Sequence, residues 1–147
     1  MSVPLCVVTN QPEAESAQAA AQLQRIAADT GLTMADVARG LGLKPETVRT
    51  WRRQRPRPSN PGASVRPSNH AYARLLALQQ HAVHTALAMP FTPPAARRRW
   101  WLAPNWPDSP LEMFAAGLDL YLMRLIDSDG ARYGHDHLAP PERELAA

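Results

Sequence analysis

The stretch that decides the fold is Met34–Arg53, MADVARGLGLKPETVRTWRR. Two short helical segments meet there at a tight corner around Gly42. Glycine at that corner can take the positive φ that a sharp helix-to-helix turn requires. Ala38, four residues earlier, is small enough to let the helices approach closely, with Val37, Leu41 and Leu43 beside it as core candidates. Val48 and Trp51, six and nine residues past the glycine, are spaced to pack back onto Val37, Ala38 and Leu41. The remaining positions of the second segment, Glu46, Arg49, Thr50, Arg52 and Arg53, are polar and mostly basic. The start signals agree. Thr33 can cap the first helix, with Asp36 in its first turn, and Pro45 suits the first position of the second.

Working outward, residues 13–30 are rich in Ala and other good helix formers, and Gly31 suits a helix end. Residues 56–68 hold four prolines and read as a Pro/Arg-rich linker. Ser68 or Asn69 caps a long helix to about Met89, with Tyr72, Leu75, Leu76, Val83, Ala86 and Leu87 as its apolar stripe and His81 and His84 facing solvent. Residues 95–108 read as irregular chain or a short helix followed by a loop. Ser109, Pro110 and Glu112 open a last helix to about Ile126, which Asp127–Gly130 closes. VPLCVV, residues 3–8, is the only strand candidate, and Cys6 within it reads as an inert thiol. The expected class is all-α, in this order: an N-terminal arm over 1–12, a helix-turn-helix unit over 13–55, the linker over 56–68, a helical C-terminal region over 69–130 that dimerises, and a tail over 131–147.

The order of charge along the chain sharpens this. The net charge is +3, from 16 basic and 13 acidic residues. Residues 1–46 sum to −2 and residues 108–147 to −5, whereas residues 47–107 contain ten arginines and no acid. A long acid-free block is an electrostatic footprint for a polyanion; its bland alternative is a solvated face paired with the acidic ends of the same chain. No run of apolar residues is long enough to span a bilayer, and the N-terminus lacks a signal-peptide pattern, so a cytoplasmic, nucleoid-associated protein is expected. One cysteine excludes a disulfide framework or a cysteine-rich zinc site. No carboxylate cluster, Ser/His arrangement or phosphate-cradling glycine loop is present, so no enzyme, cofactor or metal is expected.

Residues 13–55, and VARGLGLKPETVRTW most specifically, resemble the helix-turn-helix of Cro/C1-type repressors and related small regulators. Every expected small or apolar position is met: Val37, Ala38, Leu41, Gly42, Leu43, Val48 and Trp51. The resemblance implies a second helix lying in the major groove of double-stranded DNA. It places Lys44, Pro45, Glu46, Arg49, Thr50 and Arg53 against base edges, and the spacing of 46, 49, 50 and 53 agrees with one helical face. Arg49 and Arg53 can fork onto guanine, at roughly 1–3 kcal/mol of discrimination each. Thr33, Arg52, Arg55, Arg57 and Arg66 are expected on phosphates, where they add affinity without sequence information. Two departures stand out. Met34 occupies a position where the family commonly offers Gln to a phosphate, and the Pro-rich stretch replaces a short loop before the fourth helix.

A two-fold homodimer would present two such helices roughly 34 Å apart to a palindromic operator. Leu111, Phe114, Leu118, Tyr121, Leu122 and Leu125 form the expected dimer seam; the alternative on pattern is a central core helix packed against the helix from Asn69, and the regulator reading favours the dimer. The implied function is a transcriptional regulator, a repressor of bacterial or mobile-element origin. Two alternatives come from other classes: an antitoxin-like interaction module whose acidic C-terminal region binds a basic partner protein, and a DNA-docking accessory of a recombinase or packaging enzyme. Arg97–Trp101, RRRWW, admits single-strand stacking, but with Trp106 nearby it reads first as a packed corner with a solvated Arg edge. His135, Asp136 and His137 lack a third ligand at fixed spacing and read as a polar tail.

Overall fold

A computed structural model describes residues 11–54, 67–90, 92–104 and 108–134. Among these the chain is helical and contains no strand. The helices are α1 (Gln11–Thr30), α2 (Met34–Leu41), α3 (Pro45–Arg53), α4 (Asn69–Ala88), α5 (Pro94–Leu102), α6 (Pro110–Ala115) and α7 (Asp119–Gly134). The all-α expectation is met. The strand candidate at 3–8, Cys6, the linker core at 55–66, Trp106 and the segment from His135 lie outside the described residues.

The caps explain the boundaries. Thr33 Oγ1 accepts from the Asp36 amide at 3.1 Å, and Asp36 Oδ2 accepts from the Thr33 amide at 3.0 Å, a reciprocal box that starts α2. Ser109 and Glu112 build the same box at α6, and Ser68 caps α4 through the Ala71 amide. Such a cap contributes about 1 kcal/mol.

α1 packs on α4, α4 on α7, and α3 on both α1 and α2. One hydrophobic core joins these contacts. It takes Leu23 and Ile26 from α1, Val37 and Ala38 from α2, Val48 and Trp51 from α3, Leu75 and Leu78 from α4, Trp101 from α5, Leu111 and Phe114 from α6, and Leu122 and Ile126 from α7. The two sides of the 55–66 segment therefore share a core rather than each owning one, so the expected split into an N-terminal unit and a C-terminal region is not a split in packing. Each large apolar side chain sunk this way contributes about 1.5–3 kcal/mol.

Three sequence expectations change. The helix expected over 111–126 is two helices. After α6 the amides of Ala116, Gly117 and Leu118 fold back onto the carbonyls of Glu112, Phe114 and Met113, and this turns the chain into α7. α7 also continues through Gly130 to Gly134, because Gly130 is where α4 and α7 meet: a Cβ there would lie 2.6 Å from Ala88 Cβ. In α4 the inward stripe is Leu75, Leu78, His81, Ala82 and Thr85, while Leu76 and Leu87 face outward and Leu87 is 74% exposed. His81 is thus a core residue, not a solvent-facing one. Its Nε2 lies 2.8 Å from Asp119 Oδ2, and its ring meets Phe114 edge-on at 5.8 Å. His84 sits at the edge of the same helix pair, with its Nε2 2.6 Å from Asp127 Oδ1.

The Arg97–Trp101 run is a packed corner. Trp101 is fully buried, with Trp100 edge-on against it at 5.5 Å. Trp100 Nε1 donates to Asp129 Oδ2 at 2.6 Å. Arg97 donates to the Asp29 carbonyl at the C-terminal end of α1, where a cation is favoured. Arg98 Nε donates to Asp36 Oδ2 at 3.0 Å. Of the three arginines, Arg99 is exposed and Arg97 and Arg98 are half-buried.

Candidate nucleic-acid interface

The corner between α2 and α3 has the geometry its residues dictate. Gly42 adopts φ 71° and ψ 31°, the left-handed conformation open to glycine at little cost. The Gly42 and Leu43 amides donate back to the carbonyls of Arg39 and Ala38, closing the end of α2. Val37, Ala38 and Val48 are fully buried and Trp51 nearly so, which locks the inner faces of α2 and α3 together. Met34, Leu41 and Leu43 pack around them half-buried. Met34 is therefore a packing residue at the start of α2.

α2 is braced from behind. Asp36 is buried and holds both the Thr33 cap and the Arg98 guanidinium of α5. Burial pushes its carboxyl upward, but the Thr33 amide and Arg98 outweigh that and hold it below the usual carboxylate range. Arg39 of α2 lies on the outside, near enough to Glu112 to help keep that carboxyl low, after the larger effect of the Ser109 cap.

α3 exposes one continuous cationic side. Arg49, Arg52 and Arg53 are exposed, with Lys44 and Pro45 exposed at its N-terminal end. Glu46 sits among them. Its Oε2 accepts from Arg53 Nη2 at 2.9 Å and its Oε1 is 3.8 Å from Arg49 Nη1. A single carboxylate thus tethers the two arginines that the resemblance assigns to base edges. The structure brings Lys44, Pro45, Glu46, Arg49 and Arg53 to one surface.

Thr50 does not join them. It is 4% exposed, its hydroxyl donates to the Glu46 carbonyl at 2.9 Å, and Arg53 Nη2 donates to the Thr50 hydroxyl oxygen at 3.4 Å. It steadies the helix and Arg53 instead of facing outward, because α3 buries a wide arc that reaches from Val48 and Trp51 round to Thr50. Of the expected phosphate set, Thr33 is exposed but its oxygen is engaged in the cap, Arg52 projects from α3 with no ion pair among the described residues, and Arg55, Arg57 and Arg66 lie outside the described residues.

The acid-free charge block divides in space. Arg74 reaches Asp119 at 3.1 Å and the Phe114 carbonyl at 2.7 Å, and its guanidinium lies 4.1 Å over the Phe114 ring. Arg74, Arg97 and Arg98 are thus internal ties, as the bland charge reading has it, and among the described residues of the block the outward arginines of α3 and Arg99 remain. Burial raises the Asp119 carboxyl, but His81 and Arg74 outweigh it and the net shift is downward.

The expected dimer seam also divides. Leu111, Phe114 and Leu122 have no exposed surface and belong to the core, Leu125 is half-buried, and Leu118 and Tyr121 are exposed at 47% and 57%. The residues missed from sequence are the braces. Glu46 to Arg53 was readable as two turns of one helix face, whereas Arg98 to Asp36 spans 62 residues and left no local signal. Among the described residues no group of three His, Cys, Asp or Glu side chains could hold a metal ion, and no helix is long and apolar enough to cross a membrane. Comparisons with protein-family models, curated proteins and solved structures give no significant match.

Proposed function

We propose that this chain is a sequence-specific double-stranded DNA-binding regulator of transcription, acting as a repressor, with α2 and α3 as its helix-turn-helix and α3 as the helix that enters the major groove. The observation that carries the reading is the exposed cationic side of α3, held on a buried Val48–Trp51 seam and a glycine corner. A helix about 10–12 Å across with its side chains fits a major groove about 12 Å wide. Arg49 and Arg53 are the base-reading residues, and Arg52 meets a phosphate. Glu46 keeps the two arginines in place in the free protein and can accept from cytosine in the complex. Repression follows from occupancy, since a protein seated across a promoter blocks polymerase.

The test is Arg49→Ala. Binding of wild type and variant is measured on a selected duplex and on its single-base-pair variants at fixed salt. The variant should lose roughly 1–3 kcal/mol on the preferred duplex and lose discrimination at one base pair, with its circular dichroism unchanged. Unaltered affinity and base preference would refute α3 as the reading helix.

A further inference from the structure

We propose that the outward side of α7 is a contact surface between two copies of this chain, packed antiparallel about a two-fold axis that passes between residues 125 and 126. The proposal does not depend on the nucleic-acid reading.

At 100° per residue, Leu120, Arg124, Asp127 and Ala131 share one side of α7. Leu122, Ile126 and Gly130 share the other and are buried. The outward side carries Leu120, 64% exposed, and Met123, 44% exposed, flanks it on the edge toward Gly130. Leu87 of α4, 74% exposed, lies one turn beyond His84, the residue that touches Asp127, and so extends the same surface. Clustered exposed apolar side chains of this kind mark interaction surfaces.

What covers the surface follows from its charges. An isologous contact must be complementary to itself. When α7 runs antiparallel to a second α7 about this axis, each residue i faces residue 251 − i. Arg124 then faces Asp127 of the second copy, twice. Leu120 faces Ala131 of the second copy, large against small, also twice. Arg124 makes no ion pair among the described residues of its own chain, and Asp127 keeps a side chain 70% exposed beyond its contact with His84. One cation and one anion flanked by apolar residues suit a second copy better than a partner of single sign, which would leave one of the two charges opposed by its own kind.

The experiment measures mass by light scattering and sedimentation on the full chain, with circular dichroism and the thermal midpoint as folding controls. Wild type should be a dimer at about 100 µM, a concentration that captures even weak pairs. Leu120→Glu should yield monomers. Arg124→Glu and Asp127→Arg should each raise the dissociation constant about tenfold or more, since two ion pairs become two repulsions. The double variant R124E/D127R restores both pairs and should return to within about threefold of wild type. Monomeric wild type, a dimeric Leu120→Glu, or a double variant as weak as the singles would each overturn the proposal.

Discussion

Gly31 and Gly42 share a backbone conformation, with φ of 73° and 71°, but not surroundings, and alanine at each should separate the two effects. A Cβ on Gly42 meets nothing within 4 Å, so Gly42→Ala carries only the left-handed backbone strain. That strain is about 1–2 kcal/mol, partly offset by the lower entropy of the unfolded chain, which leaves a net loss of about 1 kcal/mol. A Cβ on Gly31 would lie 2.6 Å from the Pro94 carbonyl oxygen and 3.2 Å from Arg98 Cβ. Those are the first turn of α5 and the arginine that braces α2, so the overlap can be relieved only by moving α5 off α1. Overpacking of this kind adds about 1–3 kcal/mol, for a total of roughly 2–4 kcal/mol. In a chain of 147 residues each kcal/mol lowers the midpoint by about 2–4 °C. Calorimetry should therefore show a drop of about 2–4 °C for Gly42→Ala and roughly 5–15 °C for Gly31→Ala. Equal drops, or a larger one at Gly42, would refute the close approach of α5 to the end of α1.

Asp36→Asn should lower stability at neutral pH by about 1–2 kcal/mol through loss of the charged cap and the Arg98 contact. Because the Asp36 carboxyl is held below its unfolded value, its contribution is full above about pH 4 and fades as pH falls through the lowered value. The variant's midpoint should accordingly fall less steeply in acid, and parallel curves would count against the brace. Arg74→Met should cost about 1–3 kcal/mol in urea unfolding by leaving Asp119 and the Phe114 carbonyl without their shared donor; a neutral effect would show that His81 alone satisfies Asp119. Glu46→Gln should free Arg49 and Arg53 and raise affinity for random duplex at low salt by about 3–10-fold, with a steeper salt slope and a poorer specificity ratio. No change in the slope would mean that Glu46 does not restrain them.

What sequence could and could not disclose follows from the range of each interaction. Thr33, Gly42, Pro45, Ser109 and Glu112 act within one turn of the backbone, and the structure places caps and corner where their chemistry puts them. The inward face of α4 is not legible in sequence because His81 reads as polar until Asp119 and Phe114, more than thirty residues away, are packed around it. The segment 111–126 reads as one helix because apolar residues recur round much of its circumference. The turn at Ala116–Leu118 lets both α6 and α7 bury their apolar sides in the same core, and removes Leu111, Phe114 and Leu122 from any outer surface. The resemblance and the helical spacing both put Thr50 outward, but it turns inward because α3, only nine residues long, leans on α1 as well as α2. The ten arginines without acid were visible at once. Which of them remain outward depended on Asp29, Asp36 and Asp119 from other parts of the chain.

In the proposed function, α3 reads double-stranded DNA by sequence. The most direct test is selection of duplexes from a fully random pool by the purified full-length chain at physiological salt, with the enriched sequences read out and rebound individually. One enriched motif is expected, guanine-containing at the positions Arg49 and Arg53 reach, bound about 10³-fold or more tighter than random duplex. A pool that emerges with its starting composition, or a protein that binds every duplex alike, would contradict it.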